Sequence, residues 1–151
     1  MYLIYATDLK DLWVNRKSTV NPDGLVEMIR KLDYEYDLKE YLSDYGYESG
    51  SSEGIMNYVN DYSGTGSGSG YFGVTALLAD LIGEAEEIDI DADDAEGRML
   101  IGLSYEMPWT YTEKTKSLSQ QDFIKIMKKY LAKIFITGCF DFRQYAITDC
   151  D

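Results

Sequence analysis

The sequence contains no histidine. That removes Ser-His-Asp and Cys-His nucleophile activation, the usual zinc sites built on histidine ligands, and the commonest general base. Only carboxylate, lysine and tyrosine chemistry remain open. The two cysteines, Cys139 and Cys150, do not make a disulfide framework and lack metal-ligand spacing. They read as one buried thiol and one exposed tail thiol, which fits a cytoplasmic compartment. No stretch approaches the roughly 20 apolar residues that a membrane span needs. The opening run Met1 to Asp8 lacks a basic n-region, so no signal peptide is expected. Neither a cofactor nor a resident metal is expected.

Basic residues are nearly missing from the middle of the chain. From Asp33 to Glu96 there are 17 acidic residues against Lys39 alone, a net −16. The remaining 87 residues hold 13 basic and 10 acidic side chains, a net +3 within a total of −13. The acidity is therefore regional. Solubility needs only a modest net charge, and like charges packed into one segment cost stability. Eight of the 14 tyrosines fall between Tyr34 and Tyr71, inside the same segment. Tyrosine offers a flat apolar body with a polar tip and suits contact surfaces.

The length of 151 residues and the 45% apolar content fit one globular domain over 1–151. Residues 2–6 read as a buried strand, followed by a polar connection onto which Trp13 packs back. Asn21-Pro22-Asp23 is a helix start, with Leu25, Met28, Ile29 and Leu32 at helical spacing. A second helix is expected over 33–45, and a short one within Glu53–Val59. Glycine and serine make 63–70 a flexible loop. It lacks a following lysine and the spacing of a phosphate-binding loop. A helix over 71–83 is expected to end at Gly83. Ile88 and Ile90 alternate with Asp89 and Asp91, the pattern of a strand with one wet face. A hairpin turn at Asp93–Gly97 leads into a strand from Met99 to Tyr105. The last helix reads as capped by Ser117, with Gln120 three residues on, and ends at Gly138. Its lysines, Lys125, Lys128, Lys129 and Lys133, share one side and read as a solvated or internally compensated face. Phe140 to Ile147 reads as a final strand, with Thr148 to Asp151 as a tail. The predicted class is α+β: a small, mostly antiparallel sheet with four to five helices packed against it.

Two acidic rows stand out. Asp33, Asp37, Glu40 and Asp44 are spaced 4, 3 and 4 apart, one face of a helix. Asp89, Asp91 and Asp93 would lie on one strand face, with Glu84, Glu86 and Glu87 beside them. Tyr34, Tyr41, Tyr45 and Tyr47 flank the first row. Reading Asp89, Asp91 and Asp93 as a calcium loop fails, because Asp94 stands where glycine is needed and Leu100 where glutamate is. Duplex DNA carries about one charge per 1.7 Å of axis, and its binding proteins present cationic grooves. A folded domain with carboxylate rows offers such a groove an anionic substitute. The expected function is thus a non-catalytic acidic inhibitor or nucleic-acid mimic, of anti-CRISPR, antirestriction or nuclease-immunity type. Its partner would be a basic protein, a nucleic-acid-binding enzyme above all, with no direct nucleic-acid or membrane binding. An acidic adaptor for another basic protein, or a carboxylate-dependent hydrolase, are the alternatives. The sequence does not fix the oligomeric state.

Overall fold

A computed structural model of the chain describes residues 2–16, 20–32, 34–62, 70–95, 97–106, 118–134 and 140–147. The order is β1 (Tyr2–Asp8), α1 (Lys10–Arg16), α2 (Pro22–Lys31), α3 (Glu35–Asp44) and α4 (Ser52–Asp61). Then follow α5 (Gly70–Glu86), β2 (Ile90–Ala95), β3 (Arg98–Glu106), α6 (Gln120–Lys133) and β4 (Arg143–Ile147). The four strands form one antiparallel sheet in the order β2-β3-β1-β4. With six helices among the described residues, this is the expected α+β fold.

The core is built around α5. Tyr71, Gly73 to Ala79, Leu81 and Ile82 are all buried, and a helix apolar on every side must be covered on every side. β2 and β3 cover one side and α4 another, with α1 and α6 also touching it. Gly73 permits the α4 contact, since a Cβ there would fall 2.0 Å from the carbonyl oxygen of Val59. Tyr71 pins the start of α5 to the hairpin by donating to the Met99 carbonyl at 2.9 Å. Tyr5, Ile101 and Leu103 belong to the core shared with the helices. Ile4, Ala6 and Leu100, of opposite parity, form a second buried cluster with Tyr145 on the other sheet face.

Several boundaries differ from the sequence expectation. The stretch after β1 is not a plain connection: Lys10–Arg16 is helical. The Asp8 carboxylate accepts from the Lys10 amide at 2.8 Å, and Leu9 and Trp13, four apart, are both buried. Gly83 does not stop α5, which runs one turn further to Glu86. Glu87 takes the left-handed conformation (φ 51°), and the Ile88 amide donates back to the Gly83 carbonyl at 3.2 Å. That is a helix-ending turn in which glutamate occupies the position glycine usually fills. Ile88 therefore closes a helix instead of opening a strand, and β2 begins at Ile90. The cap of α6 is Ser119, whose hydroxyl accepts from the Asp122 amide at 3.1 Å. Ser117, the Gly/Ser loop at 63–69 and Gly138 lie outside the described residues.

Candidate anionic interaction face

The first acidic row survives on α3 in shortened form. Asp37, Glu40 and Asp44 lie on the side opposite buried Leu38 and Leu42, and all three are exposed. Asp33 lies outside the described residues. Asp44 stands in the last turn of α3, where the helix dipole is already negative and no basic residue offsets it. The single lysine of the helix, Lys39, is turned to Glu35 at 3.1 Å, where Arg30 also pairs at 3.1 Å. Those partners hold the Glu35 carboxyl below its ordinary range, the Lys39 hydrogen bond most of all. Exposed Tyr36 and Tyr45 flank the acidic row, at 71% and 67% exposure.

Beside the row, tyrosine hydroxyls join three helices to one another. Tyr41 of α3 donates to Asp61 of α4 at 2.6 Å. Tyr62, just after α4, donates to Asp80 of α5 at 2.8 Å. Tyr34, capping α3, donates to Glu84 of α5 at a longer 3.4 Å. The rings themselves form a ladder. Tyr45 lies 4.5 Å from Tyr41, Tyr41 meets Tyr58 edge-on at 5.4 Å, and Tyr58 meets Tyr62 edge-on at 5.9 Å. Burial and neighbouring carboxylates raise the phenol pKa at Tyr34, Tyr41 and Tyr62. Burial, with Asp37 next, pushes Tyr58 up to about 12. These phenols therefore stay neutral near pH 7, and those of Tyr34, Tyr41 and Tyr62 act as donors to the carboxylates. A phenol orients a carboxylate without cancelling its charge. Among the described residues no basic side chain pairs with Asp37, Glu40, Asp44, Asp61, Asp80 or Glu84.

The second row does not assemble as expected. Glu84 belongs with the α3 row through Tyr34. Glu86 points elsewhere: its Oε1 accepts from Lys129 Nζ and from the Tyr130 hydroxyl of α6, each at 3.0 Å. Those two donors hold its carboxyl below the ordinary range, Lys129 first. The basic helix is thus internally compensated at that point, as its sequence pattern implies. Glu87 is an exposed turn residue. Asp89 precedes the strand and is exposed. Asp91 and Asp93 pair with Gly102 and Leu100, which puts them on the sheet face that carries Ile4 and Ala6, away from α5. Asp91 is exposed and Asp93 half-buried, so the strand face is only partly wet.

Tyr47 is a packing residue rather than a free contact, half-buried with its hydroxyl accepting from the Asn57 amide. Sequence reasoning missed Tyr36, Asp61, Asp80 and Tyr62. The signal at Asp80 was legible, since it is the one charge in the apolar run from Tyr71 to Ile82. The described residues include no group of three or more metal-ligating side chains. A groove of about 530 Å³ beside α2 contains Asp23 and Glu27, one turn apart on the same helix and next to Arg30 and Lys31. No helix among the described residues is long and apolar enough to cross a membrane. No family model, curated protein or solved structure matches the chain.

Proposed function

We propose that this chain is a non-catalytic inhibitor that offers its α3–α4–α5 face, as a rigid anionic substitute for nucleic acid, to the cationic groove of a nucleic-acid-processing protein. One observation carries the reading. Six carboxylates from three helices gather on or beside one face, and tyrosine hydroxyls, not lysines, hold three of them. A face that served only folding would gain by replacing those phenols with cations. Here the charge is oriented and, among the described residues, left uncompensated. The helix rise places Asp37, Glu40 and Asp44 about 5 Å apart along the axis, against about 3.4 Å per phosphate along one DNA strand. Asp61, Asp80 and Glu84 add charge beside that row. Exposed Tyr36 and Tyr45 supply apolar contact area of the kind enriched in interfaces. Anti-CRISPR, antirestriction and nuclease-immunity proteins meet this need, in a cytoplasmic setting that agrees with the sparse cysteines.

The test is capture from lysate with the chain immobilised, elution in rising salt, and identification of what elutes. A parallel bait carries Asp37→Asn, Glu40→Gln and Asp44→Asn. We expect a nucleic-acid-binding protein on the parent bait and at least a tenfold weaker hold on the neutralised one. Equal retention by both baits would remove the α3 face as the working surface. Retention of a basic protein that nucleic acid does not displace would favour an adaptor instead.

A further inference from the structure

On the side of α5 away from Asp80 and Glu84, the ends of α2, α5 and α6 enclose a pocket of about 180 Å³. Lys31 of α2 and Lys129 and Lys133 of α6 line it, with Glu86 and Tyr130, and Met28 contributes an apolar wall. The helices are held close here. A Cβ on Gly24 of α2 would fall 1.9 Å from the Lys133 carbonyl oxygen, so only glycine allows the approach. The Asn21 amide donates to the Ile134 carbonyl at 3.3 Å and ties the same two helices together. We propose that this pocket binds the phosphate group of a small molecule.

Three ammonium groups meet one close carboxylate. Glu86 is occupied by Lys129 and Tyr130 through a single oxygen. Glu27 reaches Lys31 only at 4.0 Å, and both of those side chains are largely exposed. Lys133 makes no ion pair with a described residue. Instead it faces Lys31, and that approach, followed by burial, draws its amine below the ordinary lysine range. Two ammonium groups cannot accept from each other, and the distant Glu27 offsets their repulsion only in part, so an anion lying between them would relieve it. Lysines in the last turns of α2 and α6 each suit the local helix dipole. That preference places each lysine on its own helix end and gives no reason for the two to converge. A phosphate group does, since lysine is a regular phosphate ligand and a dianion satisfies several ammonium groups at once. The volume admits a phosphate with a small organic remainder against Met28.

The test is a backbone-amide NMR titration of the intact chain with inorganic phosphate and, separately, with phenyl phosphate, against chloride at matched ionic strength. We expect saturable shifts centred on Lys31, Lys129 and Lys133 that chloride does not produce. Combined Lys31→Gln and Lys133→Gln should weaken the affinity at least tenfold, while Lys125→Gln, outside the pocket, leaves it unchanged. Tighter binding of phenyl phosphate identifies an organic phosphomonoester as the ligand class, and equal binding identifies free phosphate. Shifts that grow linearly without saturating, or the same affinity in the double variant, would overturn the proposal.

Discussion

Glu84 and Glu86 stand two residues apart near the end of α5, and their surroundings differ. Glu84 meets a phenol from Tyr34 and no cation among the described residues. Glu86 meets a phenol from Tyr130 and an ammonium from Lys129. The same residue type on the same helix is left charged on one side and compensated on the other. What decides is the helix that each faces. Two residues turn a side chain by about 200° around a helix axis, so Glu84 looks to α3 and Glu86 to α6. The acidic composition alone does not mark a working surface. Among the described residues, what sets the α3–α4–α5 face apart is that no cation pairs with its carboxylates.

The contrast depends on α5 separating the two regions, and its closest approach to α4 is the first place to break it. Gly73→Ala puts a methyl group against the Val59 carbonyl. Overpacking of that kind costs about 2–3 kcal/mol. Denaturant unfolding should show the loss, and NMR shifts should spread through α4 and Tyr62 while the Glu86–Lys129 contact is kept. No loss of stability would mean that α4 and α5 are not packed this closely.

The two glutamates give a smaller, paired test. Glu86→Gln removes an ion pair and weakens the acceptor for Tyr130, at about 1 kcal/mol for a partly exposed pair. Glu84→Gln removes one charge from a crowded anionic face and should be neutral or slightly stabilising. The pH dependence has a definite sign. Because the folded carboxyl of Glu86 titrates below its unfolded value, its contribution is present above the unfolded value, about 4.3. It is lost as pH falls through the lower folded value. The gap in stability between parent and Glu86→Gln, present at pH 7, should therefore close on acidification below about pH 4. A gap that stays constant would mean that the pair contributes nothing.

Just past both residues, Glu87 holds a left-handed conformation that suits glycine. Glu87→Gly should stabilise by about 0.5 kcal/mol, after the entropy cost of glycine is set against the relieved strain. Thermal unfolding measures the change. A decrease would show that the Glu87 side chain makes a contact of its own.

How much of this was legible in the sequence depended on the range of the signal. The periodicity of Leu25, Met28 and Ile29 and the alternation around Ile90 are local, and both predicted their elements, though the second began its strand two residues early, at Ile88. The exposed face of α3 followed from the spacing of Asp37, Glu40 and Asp44. Short or tertiary signals were lost. The helix Lys10–Arg16 has only about two turns, and its apolar spacing rests on Leu9, Leu12 and Trp13. Ser117 and Ser119 both precede the last helix, and only the hydrogen bond to Asp122 shows which one caps it. The end of α5 was misplaced because glycine at 83 outranks glutamate at 87 as a terminator by conformational preference. The pairs Tyr34–Glu84, Tyr41–Asp61 and Tyr62–Asp80 link residues 18 to 50 positions apart, which no local pattern encodes. For the same reason Glu84 and Glu86 looked like neighbours in one row until the fold separated them.

The most direct test of the central claim is competition for the captured partner, read as fluorescence anisotropy of a labelled DNA duplex bound to it. The account predicts that the parent chain displaces the duplex to completion. It also predicts that Asp37→Asn, Glu40→Gln and Asp44→Asn together raise the concentration needed at least tenfold, while Glu86→Gln leaves it unchanged. A duplex that stays bound at saturating chain, or equal displacement by the neutralised variant, would contradict the claim that the α3–α4–α5 face takes the place of nucleic acid.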